Sequence, residues 1–212
     1  MFETSKIELE ITSKCTLFCP DCARTKDKNE SIMKWNFGQL SLNSIEKILL
    51  APASGIILSG CYGDPIYHTE FHDVISLIKK YNKTILMNTN GSYRSADWWM
   101  KAASLFDERD SIVFSVDGLP GKDLYRVNSD WPSIETGIRI ITQHSAADTM
   151  WKWIVFKYNE YDVIEGYKLC KSLGIKSFEL VKSGRCPPDM IPTRKFEDIE
   201  LELRNFINET KS

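Results

Sequence analysis

Apolar residues along the chain follow two alternating patterns. Short runs rich in β-branched and aromatic residues alternate with longer stretches in which apolar residues return every three or four positions. The short runs predict β-strands, and the longer stretches predict amphipathic helices. The predicted strands are Ile7–Thr12, Gly55–Ser59, Thr84–Asn88, Ser111–Val116, Met150–Phe156 and Ser177–Val181. The predicted helices are Ser41–Leu50, Thr69–Tyr81, Ala96–Phe106, Ser133–His144, Tyr161–Leu173 and Thr193–Asn208.

One of these helices shows how the pattern separates the core from the surface. Val163, Tyr167, Cys170 and Leu173 lie three or four positions apart, and Gly174 follows them. This spacing puts the four side chains on one helix face, and a glycine is typical of the position just after a helix. We therefore predict that Cys170 is a packed core residue.

The order of the elements predicts the fold class. Six β–α repeats follow one another with no hairpin signal between them. Parallel strands need crossover connections, so this order predicts an α/β fold with a parallel sheet and outer helices. Two closures satisfy the pattern: an open doubly wound sheet and a partial six-unit (βα) barrel. In both, ligands gather at the C-terminal ends of the strands. No linker interrupts the repeats, which predicts a single domain over residues 1–212.

Composition and charge narrow the class of protein. The 212 residues are 42% apolar and 26% charged, which is typical of a soluble globular protein. A net charge of −2 provides no basic field for nucleic acid. No apolar run approaches the ~20 residues of a membrane helix, and the N-terminus lacks signal-peptide features. We expect a cytoplasmic protein without membrane contact, in which Cys61, Cys170 and Cys186 are free thiols.

Three further cysteines lie close together after the first predicted strand. Cys15, Cys19 and Cys22 are too closely spaced for ordinary disulfides, and three thiolates suit zinc or an iron–sulfur cluster. A catalytic metal site keeps one position open, so the missing fourth ligand predicts a place for a substrate or cofactor. Two alternatives are a zinc-stabilised binding module that adds Cys61 or His68, and an electron-transfer or sensor protein with a closed cluster.

Polar residues also follow the next three predicted strands. Gly63 and Asp64 follow the second strand, and there a glycine admits a ligand while a carboxylate accepts from an ammonium group. Asn90 follows the third strand in an Asn-Gly turn. Ser115 and Asp117 end the fourth strand on one face, where they can hydrogen-bond a ribose diol. No glycine-rich nucleotide-binding loop follows any strand.

The C-x-x-x-C-x-x-C motif at this place resembles the signature of the radical S-adenosylmethionine (radical SAM) superfamily. The resemblance covers roughly residues 7–181 and implies a partial (βα)6 TIM-like barrel. It also implies that Cys15, Cys19 and Cys22 hold a [4Fe-4S] cluster, with SAM on the fourth iron.

The resemblance assigns the other polar residues to SAM as well. Gly63 and Asp64 stand where the family carries a Gly-Gly-Glu-like motif that holds the SAM amino group. Asn90 lies where polar groups border SAM, and Ser115 and Asp117 lie where the family contacts the ribose.

The sequence departs from the family pattern in two respects. Asp21 precedes the third cysteine, where the family commonly has an aromatic residue, and Phe18 is a partial substitute. No cysteine-rich extension follows the last predicted strand, and Cys186 has no companions, so we predict a single cluster.

The activity that the resemblance implies is that of an oxidoreductase. A low-potential donor, flavodoxin or ferredoxin, supplies an electron that cleaves SAM, and the resulting 5′-deoxyadenosyl radical removes hydrogen from a substrate. We expect a peptide or protein substrate; a nucleotide or nucleic acid is the alternative. The hydrogen-abstraction step requires no general acid or base. Lys157 is a candidate for the SAM carboxylate. Trp98-Trp99 and Tyr125-Arg126 are candidate substrate surfaces, although core packing accounts for the tryptophans equally well.

Overall fold

The computed structural model describes residues 6–30, 38–184 and 186–210, and it shows an α/β fold built on one sheet. All six strands run parallel, because each is joined to the next by a helical crossover. They are β1 (Lys6–Leu9), β2 (Gly55–Leu58), β3 (Thr84–Thr89), β4 (Ser111–Ser115), β5 (Asp148–Val155) and β6 (Ser177–Lys182).

Strand order decides between the two predicted closures. The sheet runs β1-β2-β3-β4-β5-β6 in the order of the chain. A doubly wound sheet reverses direction at a switch point, so this order excludes it. Within the described residues β1 pairs in parallel only with β2, and β6 only with β5, so the sheet is not closed. The structure therefore confirms the partial barrel.

Helices lie between the strands and after the last one. They are α1 (Ala23–Glu30), α2 (Leu42–Leu49), α3 (Phe71–Lys80), α4 (Ala96–Ala103), α5 (Trp131–His144), α6 (Val163–Ser172) and α7 (Phe196–Glu209). Six of them match the predicted helices with shifted ends, whereas α1 was not predicted, because its sequence carries almost no apolar residues. In the part of the chain that the structure describes, no helix has the length and apolarity to cross a membrane.

The first strand is shorter than predicted. β1 ends at Leu9, and the following residues turn toward the segment before α2 instead of continuing along β2. There the Leu40 amide donates to the Ile11 carbonyl at 2.9 Å, and Thr12 forms an antiparallel bridge with Gln39. This departure carries the chain to the cysteine loop.

The convex face of the sheet packs tightly against the helices. Trp99 and Trp153 are completely buried, and each lies against a helical glycine. A Cβ on Gly137 would come within 2.6 Å of the Trp99 ring, and one on Gly166 within 2.6 Å of the Trp153 ring. Core packing thus accounts for Trp99. Cys170 is also completely buried, which confirms its prediction as a core residue.

The concave face is different, because polar and partly exposed side chains stand on it beside apolar ones such as Ile57. The strand register places Ser115 beside Lys152 and Lys152 beside Glu179. Glu8 and Asn88 belong to the same face on β1 and β3. The inner surface of this partial barrel is therefore of mixed polarity, and several of its polar residues border one cavity.

Gly174 provides a test of the local structure. It follows α6 with φ of +81°, a left-handed conformation that costs other residues about 1 kcal/mol or more. We expect Gly174→Ala to lower the free energy of unfolding by about 1 kcal/mol in urea denaturation. Gly184→Ala is the control, because its added Cβ would meet nothing within 4 Å and its backbone is not left-handed. Equal losses in both variants would contradict this explanation.

Candidate functional site

The three motif cysteines line one cavity at the C-terminal ends of the strands. Its volume is about 500 Å3, and it contains Cys15, Cys19 and Cys22 together with Asp64 and Arg126. The sequence therefore placed the cysteine loop on the correct edge of the sheet. The other lining residues used below are Glu8, Ser59, Gly63, Asn88, Asn90, Ser115 and Lys152.

Backbone contacts fix the cysteine loop to the rest of the barrel. The Phe18 amide donates to the Val127 carbonyl at 3.0 Å, and the Asn128 side chain donates to the Thr16 carbonyl at 2.9 Å. Arg24 is 7% exposed and donates to the Leu17 carbonyl from the first turn of α1. The cysteines are therefore held by the segment after β4 as well as by β1.

Burial controls the protonation of the thiols. Burial, with repulsion from Asp64 as the next cause, raises the pKa of Cys15 to about 11, and burial raises the pKa of Cys19 to about 12. Both groups are protonated at neutral pH unless a cation compensates, and a bound metal provides that compensation. Among the described residues, no three His, Cys, Asp or Glu side chains are gathered closely enough to form a metal site as they stand.

The loop after β2 is pressed directly against the cysteine loop. The Asp64 amide donates to the Lys14 carbonyl at 2.9 Å. A Cβ on Gly63 would lie 1.7 Å from the Thr12 carbonyl oxygen, so only glycine fits there. The Glu10 carboxylate accepts from the amides of Tyr62 and Gly63, which fixes the turn from the opposite side. Gly63 thus allows the close approach that brings Asp64 to the cavity.

Asp64 is a buried carboxylate surrounded by donors. It is 5% exposed and accepts from the Ile66 amide at 3.2 Å and the Thr89 hydroxyl at 2.9 Å. The amide and the side chain of Asn90 both donate to it at 2.6 Å. Burial raises the pKa of Asp64 to about 6, against the lowering effect of these hydrogen bonds.

Asn90 connects Asp64 to the cysteine loop. Its side-chain nitrogen lies 3.6 Å from Cys15 Sγ as well as 2.6 Å from the Asp64 carboxylate. Its side-chain oxygen accepts from the Ser92 amide at 2.9 Å, so the amide group has a fixed orientation. The structure therefore brings together Gly63, Asp64 and Asn90, which the sequence selected separately.

The structure separates the two residues predicted from β4. Ser115 lines the cavity. Asp117 is completely buried and lies outside the cavity lining, because its carboxylate turns toward the neighbouring strand and accepts from the Ile154 amide at 2.8 Å. Its other oxygen forms a close ion pair with Arg126 Nε at 2.8 Å.

Arg126 is the site residue that the sequence did not select. It lines the cysteine cavity, and although burial lowers its pKa, attraction to Asp117 and Cys19 raises it above the ordinary arginine value. It was predicted only as part of a possible substrate surface. The signal that could have found it is Asp117 itself, because a buried carboxylate needs a cation. Lys157, the predicted carboxylate partner, is exposed and does not line this cavity.

Solved structures share this architecture over nearly the whole chain. The Streptococcus suis protein SuiB bound to S-adenosylmethionine superposes with a TM-score of 0.73, at 12% identity, over 98% of this chain and 49% of SuiB. Native anSMEcpe with bound AdoMet gives a TM-score of 0.67 at 16% identity, over 94% of this chain and 59% of its own. TYW1 with a lysine–pyruvate adduct gives 0.60 at 14% identity, over 96% and 70%. The chain has the radical SAM fold.

Comparison of amino-acid sequences adds a further relative. The tungsten-containing aldehyde ferredoxin oxidoreductase cofactor-modifying protein of Pyrococcus furiosus is 31% identical over 113 residues. The match covers 53% of this chain and 30% of that protein. The chain thus spans about half the length of SuiB, and the matched region is less than a third of the curated relative. No protein-family model matches it.

The Asp64 carboxylate makes the stability of the folded chain depend on pH. Its folded pKa of about 6 exceeds the value of about 4 in an unfolded chain, so the folded state retains the proton between these values. The free energy of unfolding should therefore fall as pH rises through this window, by about 3 kcal/mol for a change of this size. We expect Asp64→Asn to flatten part of that profile in urea denaturation of the metal-free chain.

Asp64 is not the only buried carboxylate that contributes to this pH dependence of stability. Burial raises the pKa of Asp117 to about 6 as well, so a remaining slope is expected in Asp64→Asn. Asp148→Asn is the control, because that side chain is 51% exposed. An unchanged slope in Asp64→Asn would contradict the raised pKa.

Proposed function

We propose that this chain is the catalytic domain of a radical SAM enzyme, in which Cys15, Cys19 and Cys22 hold a [4Fe-4S] cluster beside S-adenosylmethionine. The observation that carries the proposal is that the three thiols share one cavity with Asp64 and Arg126 in a radical SAM fold. When bound, the cluster supplies one electron for the reductive cleavage of SAM, whose product removes a hydrogen atom from the substrate.

The donor set of the cavity fits this cofactor pair. Three soft ligands on one short loop suit iron–sulfur chemistry, and their raised thiol pKa values mean that a cation is needed to ionise them. A polar cavity of about 500 Å3 also has the size of a small-molecule site. Zinc with His68 as the fourth ligand fits less well, because His68 is 1% exposed and its ring contacts the Leu40 carbonyl and the Glu70 amide.

Each polar residue of the cavity would act on a different part of SAM. Asp64 provides the negative charge for the amino group and orients Asn90 beside Cys15. Arg126 offers a planar cation for the carboxylate. Ser115 faces the cavity and is suited to the ribose, whereas Asp117 acts indirectly by positioning Arg126.

A peptide or protein is the substrate we propose. It is supported by two of the similar structures, in which SuiB is bound to its precursor peptide SuiA and anSMEcpe to a Cp18Cys peptide. The open sheet provides lateral access for such a chain. A low-potential flavodoxin or ferredoxin would supply the electron, and oxidation of the substrate makes the enzyme an oxidoreductase.

Cysteine substitution tests the proposed cluster. After anaerobic reconstitution with iron and sulfide and reduction with dithionite, we expect the wild-type chain to release 5′-deoxyadenosine from SAM. Cys15→Ala, Cys19→Ala and Cys22→Ala should each abolish that product and most of the bound iron, because each removes one ligand. Cys170→Ala is the matched control, since Cys170 is buried in the core and should leave both unchanged. A full cluster that yields no 5′-deoxyadenosine would contradict the proposal.

Arg126 provides a separate test of SAM binding. Arg126→Lys keeps a cation beside Asp117 but loses the planar fork that can pair with a carboxylate through two hydrogen bonds. We expect about tenfold weaker SAM binding in equilibrium dialysis of the reconstituted protein. Arg139→Lys is the control, because Arg139 is a half-exposed helix residue paired with Glu135. Unchanged affinity in Arg126→Lys would remove Arg126 from the SAM site.

A further inference from the structure

The concave face of the sheet carries opposite charges that the proposed SAM site does not use. Glu8 on β1 and Lys152 on β5 both line the cavity that contains the cysteines. They stand four strands apart in the sheet order. They nevertheless border the same cavity, because the curvature of the sheet brings β1 and β5 to opposite sides of it.

Polar side chains on this face are unusual for a barrel interior. Barrels that hold no ligand inside their strands fill that space with layers of bulky apolar side chains. Here Ser59, Asn88 and Ser115 border the cavity between Glu8 and Lys152. Glu8 is exposed and the Lys152 side chain is 34% exposed, so both charges are accessible to a ligand that enters the cavity. This arrangement indicates a ligand subsite rather than core.

Neither charge is fully used within the described part of the chain. The Ser59 hydroxyl donates to one oxygen of Glu8, and no partner to its second oxygen is found there. Lys152 Nζ lies 3.8 Å from Glu179, in a pair whose side chains are 34% and 47% exposed. Ion pairs this long and exposed contribute little, so the ammonium group of Lys152 remains available to a ligand.

We propose that Glu8 and Lys152 bind a zwitterionic peptide substrate, with its ammonium group at Glu8 and its carboxylate at Lys152. This inference deepens the proposed function, on which it rests, by assigning the two charged ends of the peptide to two residues of the cavity. The two charges determine orientation, because a reversed substrate would place like charges together at both ends. Ser59 and Asn88 provide neutral hydrogen-bonding groups for the peptide between them.

The same charges disfavour a nucleotide. A phosphate group carries negative charge without a compensating cation, so of these two residues Lys152 would attract it and Glu8 would repel it. A zwitterion satisfies both residues at once, and each contact becomes a charge-assisted hydrogen bond. The opposite charges of Glu8 and Lys152 therefore favour a peptide over a nucleotide as the substrate.

A series of four small peptides tests the inference on the full chain, purified anaerobically. The probes are alanyl-alanine, its N-acetyl form, its C-terminal amide and the doubly blocked form, each titrated with NMR detection of binding. All titrations are run with SAM present, because Asp64 and Arg126 would otherwise offer a second site for a zwitterion in the same cavity. Adenosine monophosphate is the anionic comparison. We expect alanyl-alanine to bind best and each blocked end to weaken binding about tenfold, the effect of about 1.4 kcal/mol.

Variants assign each end of the peptide to one residue. Glu8→Gln should abolish the preference for the free amine only, and Lys152→Met the preference for the free carboxylate only. Glu165→Gln and Lys168→Met are the controls, since this exposed pair lies on α6 and forms its own salt bridge at 2.7 Å. The wild-type series tests the idea without any variant, so a poorly folded variant does not remove the test.

The outcomes separate this inference from the proposed function. Equal binding of blocked and free peptides, tighter binding of adenosine monophosphate, or no binding of any probe would overturn the inference. None of these results depends on SAM cleavage. Release of 5′-deoxyadenosine, measured in parallel, reports the proposed function alone, so either idea can fail while the other stands.

Discussion

A single buried carboxylate ties the candidate site together. Asp64 is removed from water and must be satisfied by donors, and it takes them from the turn after β2 and from the end of β3. Its own amide donates to the cysteine loop after β1. Three consecutive strand ends are therefore joined through one residue. Because an unsatisfied buried carboxylate is so costly, any displacement of one loop is resisted by the other two.

The second fixed part of the site is the ion pair of Asp117 and Arg126. Asp117 also accepts from the Ile154 amide, so it joins β4 to β5 as well as holding the guanidinium beside Cys19. The cavity thus has a rigid anionic side at Asp64 and a rigid cationic side at Arg126. A zwitterionic cofactor such as SAM has groups for both, which is the electrostatic basis of the proposed function.

The fold could be predicted because the apolar residues of each strand and each helix recur with the period typical of that element. The strand ends predicted much of the site, since parallel strands must deliver Cys15, Asp64, Asn90 and Ser115 to the same edge. Asp117 lies beyond that rule, because alternation stops where β4 ends and its side chain turns to β5.

Other features depended on contacts distant in sequence. The position of Arg126 against Cys19 depends on a loop that returns to the cysteines, and no local pattern encodes such a return. α1 has too few apolar residues for its period to show. Glu8 stands in a four-residue strand, which has only two positions on each face, and the alternation of the eight-residue β5 does not reveal that the face of Lys152 borders a cavity.

The unpaired gap between β1 and β6 has a mechanical consequence. In a closed barrel the strand number and stagger fix the circumference, so the interior has one width. In this sheet the outer edges of the first and last described strands are not joined to each other, so its curl can change while every strand-to-strand hydrogen bond is kept. Glu8 lies on the edge strand, and Cys15 follows it on the same chain segment. A small uncurling would therefore widen the space between Glu8 and Lys152 while the strands stay paired.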